Sequence, residues 1–209
     1  FAWEHHGSDH REPSPDVAGV SPRFLFPGSF NPYHEGHREI AKYVAAESGT
    51  IVEYELSIEN VDKPGLMFTE AVGRLFQFAG KDPIWLTSQA TFAGKASLFP
   101  ETTFVVGVDT IIRMADSQYY PDETSHQEAI AAIRNSGCRF LVFGRLVNQA
   151  MPAVGLESGG FCQLDDLVLP LELDQLCTAV PGSAFRHDIS STELRLSGEQ
   201  GNHVTEHDE

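Results

Sequence analysis

Short apolar runs alternate with amphipathic stretches along most of this chain. Phe24-Leu25-Phe26 is a compact apolar run that stops at Pro27-Gly28, the form of a buried strand. Ile40, Tyr43 and Val44 then recur at helical spacing and predict a helix from about Gly36 to Ser48, ended by Gly49. Residues 50–58 alternate, carry β-branched side chains and predict a strand. A helix over 67–79, a strand over 84–87 and a helix over 89–98 follow. Thr103 to Val106 predicts a buried strand closed by Gly107, and 109–116 and 125–135 predict helices. Arg139 to Phe143 predicts a strand closed by Gly144. From 150 to 170 the pattern weakens to one or two short strands, and a last helix is expected to start near Ser190 or Ser191. Phe68, Phe76 and Phe78 are expected in the core.

This alternation predicts an α/β, Rossmann-like three-layer fold with a central parallel sheet covered on both faces. Ligands of such folds bind outside the carboxyl ends of the strands. The loops at 27–37, 59–65, 107–110 and 144–148 all leave strands and are expected to converge there. Residues 1–22 are polar and rich in His, Pro, Asp and Ser, which predicts a flexible lead-in, His5 and His6 included. One domain is expected over 23–197, followed by an acidic flexible tail over 198–209.

The net charge of −16 adds a constraint. A field of that sign repels nucleic-acid backbones and anionic membranes, so neither is an expected partner. Any anion site must be locally basic against that trend, so the few cations are informative. No apolar run reaches the length of a membrane span or the form of a signal peptide. Cys138, Cys162 and Cys177 form no CxxC, which argues against a disulfide framework or a cysteine zinc site and for buried thiols in a reducing, cytoplasmic setting. The chain starts at Phe1 rather than methionine, as either a trimmed product or one domain of a longer protein would. Its oligomeric state is not legible.

Chemistry concentrates first in Gly28-Ser29-Phe30-Asn31-Pro32-Tyr33-His34-Glu35-Gly36-His37. Gly28 and Ser29 let the backbone turn tightly against a ligand, and Pro32 stiffens the exit. The helix start near Glu35 or Gly36 offers free N–H groups and a partial positive charge, an anion site. His34 and His37 flank it and can donate hydrogen bonds to phosphate oxygens, while Gly36 removes a blocking side chain. On spacing alone, two histidines there are also compatible with a partial zinc site or plain surface residues. The second concentration is Ile189-Ser190-Ser191-Thr192-Glu193-Leu194-Arg195. Its hydroxyls can cap another helix start, and Arg195 stands one turn on, able to reach back to phosphate oxygens. By itself this segment reads as a plain capped helix with a surface arginine.

Together, GSFNPYHEGH and ISSTxxR resemble the two phosphate motifs of the HxGH nucleotidylyltransferase superfamily, most closely those of nicotinamide mononucleotide adenylyltransferases. The resemblance covers roughly 23–197, is strong at both ends and thin over 146–184. It implies the cytidylyltransferase-like fold and transfer of AMP from ATP to a phosphorylated acceptor, nicotinamide or nicotinate mononucleotide, with release of pyrophosphate. His34 and His37 would hold the triphosphate, with Gly28, Ser29, Phe30 and Gly36 around it. Ser190, Ser191, Thr192 and Arg195 would bind its β- and γ-phosphates, and Lys63 would neutralise the acceptor or α-phosphate. Gly107 and Asp109 would meet the nucleotide's sugar and base region, although Asp109 also reads as a helix N-cap. Trp85, Thr87 and Arg145 would serve the acceptor, against the plain readings of a core tryptophan and a surface arginine. Magnesium would travel on the triphosphate, with no protein metal site. The same motifs leave open CTP as donor, flavin mononucleotide or phosphopantetheine as acceptor, and a nucleotide-binding module without turnover. A class I aminoacyl-tRNA synthetase fragment shares a related histidine motif, but this chain is too short, too acidic for tRNA and has no KMSKS-like loop.

Overall fold

A computed structural model describes residues 2–3 (backbone only), 21–59, 61, 65–146 and 160–186. Among the described residues nine strands run in chain order: β1 Ala2–Trp3, β2 Phe24–Pro27, β3 Val52–Ser57, β4 Ile84–Thr87, β5 Thr103–Gly107, β6 Arg139–Phe143, β7 Arg145–Leu146, β8 Phe161–Cys162 and β9 Cys177–Val180. The helices are α1 Glu35–Ser48, α2 Phe68–Phe76, α3 Phe92–Leu98, α4 Val108–Ala115, α5 Glu123–Asn135 and α6 Leu171–Asp174. These ranges fall within a few residues of the predicted elements from 24 to 143. The final helix, the 198–209 tail and residues 147–159 lie outside the described residues.

Seven strands form one sheet in the order β1-β4-β3-β2-β5-β6-β9. All neighbours are parallel except β1, which pairs antiparallel with β4 at one edge. The lead-in therefore supplies an edge strand, which its polar composition did not foretell. β7 and β8 form a separate antiparallel pair. The chain winds from β2 outward to β4, then returns across β2 to start β5 and winds the other way. The reversal falls between β2 and β5, and sheets of this class bind ligands outside the carboxyl ends of the strands at such a point.

Alternation along each strand sorts the core into two layers. Leu25, Phe104, Val106, Phe140 and Val142 meet Ala96 and Phe99 of the α3 region, Ile111 of α4 and Ile130 and Ile133 of α5 on one face. Phe26, Val52, Tyr54, Leu56, Val105 and Phe143 meet Val44 of α1 and Phe78 beyond α2 on the other. Two aromatic expectations need correction. Phe78 is buried at 1% exposure, but Phe68 and Phe76 stand 82% and 71% exposed. The nine-residue α2 covers the sheet through Ala71 and Leu75, and its spacing alone does not tell how far its ends overhang. Gly49 ends α1 at φ 66, the left-handed cap that glycine adopts without a Cβ clash.

Candidate functional site: a capped helix start at the sheet reversal

The loop after β2 begins with a close approach. Gly28 N–H donates to the Glu55 carbonyl at 2.9 Å. A Cβ on Gly28 would stand 2.7 Å from the Phe30 ring, so only glycine lets that ring tuck beneath the backbone. Phe30 has φ 45, a region that bulky residues rarely adopt. The surroundings that hold it there are aromatic. Its ring is 1% exposed and meets Phe26, Tyr33, His37, Tyr54 and Phe78 edge-on. The Phe30 ring is thus the buried anchor of the loop. The Asn31-Pro32 peptide is cis.

Two residues that the sequence reading passed over fix the backbone of this loop. Gln77 donates through Nε2 to the Phe30 carbonyl at 2.9 Å and accepts from Tyr33 N–H at 2.8 Å. Arg74 donates to the Ser29 carbonyl at 3.0 Å. Below them, the Tyr33 hydroxyl lies 2.8 Å from Asp82 Oδ2 and 3.0 Å from the Tyr54 hydroxyl. Burial holds both tyrosines in the phenol form, raising their pKa well above the ordinary value. On the α2 side, Asn31, Pro32, Glu70, Gly73, Arg74 and Gln77 line an open depression of about 330 Å³. The two histidines are not among its lining residues.

His34 and His37 are wired into the helix start itself. His34 is the N-cap of α1, and its Nδ1 accepts from Gly36 N–H at 3.1 Å. His37 Nδ1 accepts in return from His34 N–H at 3.2 Å. This is a reciprocal capping box built from imidazoles, with ring centroids 3.9 Å apart. A ring nitrogen that accepts a hydrogen bond carries no proton, so the proton of each neutral ring sits on Nε2. Burial, then the neighbouring His34 and Arg38, pulls the His37 pKa down to about 3. His37 is therefore a neutral donor, not a cation, at ordinary pH. Its ring stacks on Tyr33 and meets Phe26 edge-on, which fixes its direction.

Across the reversal, Gly107 is the N-cap of α4, and Asp109 falls in the first helical turn rather than at the cap. Asp109 Oδ2 stands 3.4 Å from an Arg145 guanidinium nitrogen, with both side chains 37% exposed. Two residues assigned by resemblance to different substrates are thus in contact. Trp85 and Thr87 are committed elsewhere. Trp85 donates through Nε1 to Glu53 at 2.7 Å and packs edge-on against Phe99. Thr87 is buried, and its hydroxyl donates to Glu55, so that donor is not available to an acceptor. The hydroxyl expected to serve the acceptor is thus engaged within the sheet. Glu55 in turn is gripped by Lys95, whose Nζ lies 2.7 Å from each carboxylate oxygen. Both residues break apolar surroundings in the sequence, Glu55 between Tyr54 and Leu56 and Lys95 between Phe92 and Phe99, and that was the signal available for finding them.

Lys63, Ser190, Ser191, Thr192 and Arg195 lie outside the described residues, as do Asn60, Asp62 and His187. Among the described residues no three His, Cys, Asp or Glu side chains group as a metal site, and no helix is long and apolar enough to cross a membrane. Cys138 and Cys162 are buried and Cys177 partly so. Burial pushes all three thiols up, Cys177 to about 12, which makes them poor nucleophiles. No protein-family model matches the chain, and no curated protein matches it.

Proposed function

We propose that this chain binds a nucleoside triphosphate on the loop 28–37 and transfers its nucleotidyl group to a small phosphorylated acceptor. The observation that carries this is the imidazole capping box at the sheet reversal. It joins a helix start, whose N–H groups favour anions, to two imidazoles whose protons sit on Nε2. Donors of this kind suit phosphate oxygens and do not suit a cation. Magnesium would accordingly come bound to the triphosphate, keeping phosphate oxygens and waters as ligands and drawing charge off the phosphates.

In this reading an oxygen of the acceptor phosphate attacks the α-phosphorus in line. A new phosphorus–oxygen bond forms, the bond from the α-phosphorus to the bridging oxygen breaks, and pyrophosphate leaves with that electron pair. The acceptor is already an anion, so no protein nucleophile or general base is required. The protein positions the two phosphates and stabilises charge on the leaving group. His34 and His37 donate to the triphosphate, and His37 does so as a neutral group, which spares it the desolvation cost of a buried cation. Ser190, Ser191, Thr192 and Arg195 would close on the β- and γ-phosphates, and Lys63 on the acceptor or α-phosphate. Asp109 would turn from Arg145 to the ribose, freeing Arg145 for the acceptor. The motif resemblance favours ATP as donor and nicotinamide or nicotinate mononucleotide as acceptor.

The test is a panel. ATP or CTP is paired with nicotinamide mononucleotide, nicotinate mononucleotide, flavin mononucleotide and phosphopantetheine, and pyrophosphate release is measured. One pair should stand well above the rest. Release at background for every pair, with no binding of either triphosphate, sinks the proposal. Triphosphate binding without release converts it to a nucleotide-binding module.

A further inference from the structure

Two loops that leave the sheet's carboxyl edge, those after β2 and β4, meet at one buried residue, Glu55, and the loop after β3 joins them through Thr87. Its carbonyl holds Gly28 N–H, the first bond of the loop 28–37. Its carboxylate accepts from the Thr87 hydroxyl, and that same Thr87 oxygen accepts from Gln89 N–H at 3.2 Å, setting the exit from β4. The Thr87 carbonyl accepts from Ile58 N–H at 2.8 Å, and Ile58 accepts from Leu66 N–H at 2.7 Å, which closes the loop after β3. Lys95 reaches in from α3 to hold both carboxylate oxygens.

Stability alone is a poor reason for this arrangement. The two side chains are 1% and 6% exposed, so both charges have lost their water. A well-packed apolar pair of similar volume is commonly as stable as a buried ion pair, or more so. What an ion pair adds is direction, because a doubly held carboxylate has one orientation whereas a leucine has several. We infer that Glu55 and Lys95 form a positioning pair that sets the phosphate loop and the β4 exit in register with each other. Neither residue touches the triphosphate; they act through Gly28 and Thr87. The consequence for turnover rests on the nucleotidyl-transfer reading, while the consequence for the loop does not.

The experiment compares the whole chain with E55L/K95M, which replaces the pair by apolar side chains, and with E55Q/K95M, which keeps an acceptor for Thr87. Each is followed by denaturant unfolding, by amide hydrogen exchange over 28–37 and 87–90, and by pyrophosphate release. E55L/K95M should unfold at a denaturant concentration close to that of the parent, yet exchange about tenfold faster in both loops. Its kcat should fall more than its KM for triphosphate rises, and E55Q/K95M should recover part of the loop protection. A merely structural pair would change global unfolding and exchange everywhere alike. A folded E55L/K95M chain with parental exchange in both loops overturns the inference. If E55L/K95M does not fold, Thr87→Val decides, since it removes one hydroxyl and leaves the ion pair intact. Faster exchange at Gln89 and in 28–37 supports the inference, and unchanged exchange overturns it. A parent that releases no pyrophosphate counts against the proposed function alone, because the exchange result is read without any substrate.

Discussion

His37 should make this protein acid-sensitive in a way that one substitution removes. In the folded chain its pKa is about 3, against an ordinary value of 6.5. The folded state therefore refuses a proton that the unfolded chain accepts. A folded pKa below the unfolded one means that stability is fully present above about pH 6.5 and is lost as pH falls from there towards 3. The slope approaches one proton, or about 1.4 kcal/mol per pH unit. Between pH 7 and pH 5 this amounts to about 2 kcal/mol, trimmed to about 1–2 kcal/mol because the ring is only partly buried. The informative variant is His37→Gln. Glutamine at the third helical position can still reach back to the N-cap N–H, so the cap survives while the titration disappears. Denaturant unfolding of both proteins at pH 7, 6, 5 and 4 isolates the effect, because every other titrating group is common to both. The gap between them should narrow or reverse by about 1–2 kcal/mol from pH 7 to pH 5. A gap that stays constant across that range refutes the neutral imidazole. At neutral pH the folded variant should lose about a hundredfold or more in pyrophosphate release, the usual scale for removing one preorganised donor.

The loop clamp, the helix cap and the surface ion pair give three further tests. Gln77→Leu leaves the Phe30 carbonyl and Tyr33 N–H without their partner. It should cost about 2 kcal/mol, read as a fall in Tm of about 4–8 °C, and slow turnover through a loosened loop. Gly49→Ala forces a side chain into φ 66 and should lower Tm by about 2–4 °C without touching activity; an unchanged Tm would show that α1 ends differently. Asp109→Asn breaks an ion pair whose partners are each more than a third exposed, so stability should change by less than about 1 kcal/mol. Its effect should instead appear as a raised KM for the nucleotide, and a large loss of Tm with a normal KM would make the pair structural.

Much of the site was legible because it is local. The spacing of His34 and His37 is one helical turn, so the sequence already placed them together at a helix start. The structure explains the spacing more fully, because three residues is also the reach of a capping box. The same spacing thus suits a capping box and the proposed anion site alike, which no pattern can separate. The direction of the Phe30 ring was not legible for a related reason. A motif shows that a residue belongs to a loop but not which way its ring turns, and this ring turns inward among Phe26, Tyr54 and Phe78. Thr87 sits on a predicted strand, yet its hydroxyl is spent on Glu55, 32 positions earlier in the chain.

By itself the sequence determined the alternation of strands and helices, the positions of the turns and the helix start between Tyr33 and Glu35. Each of these depends on the preferences of neighbouring residues and on periods of two or 3.6. Only the tertiary structure decided the order β1-β4-β3-β2-β5-β6-β9, the exposure of Phe68 and Phe76, and the grip of Gln77 on the loop. It alone joined Glu55 to Lys95 across 40 residues and Asp109 to Arg145. Those contacts arise when apolar layers bury against each other, and whichever polar groups are trapped beside them must then find partners. That requirement acts between distant segments and leaves no period in the chain.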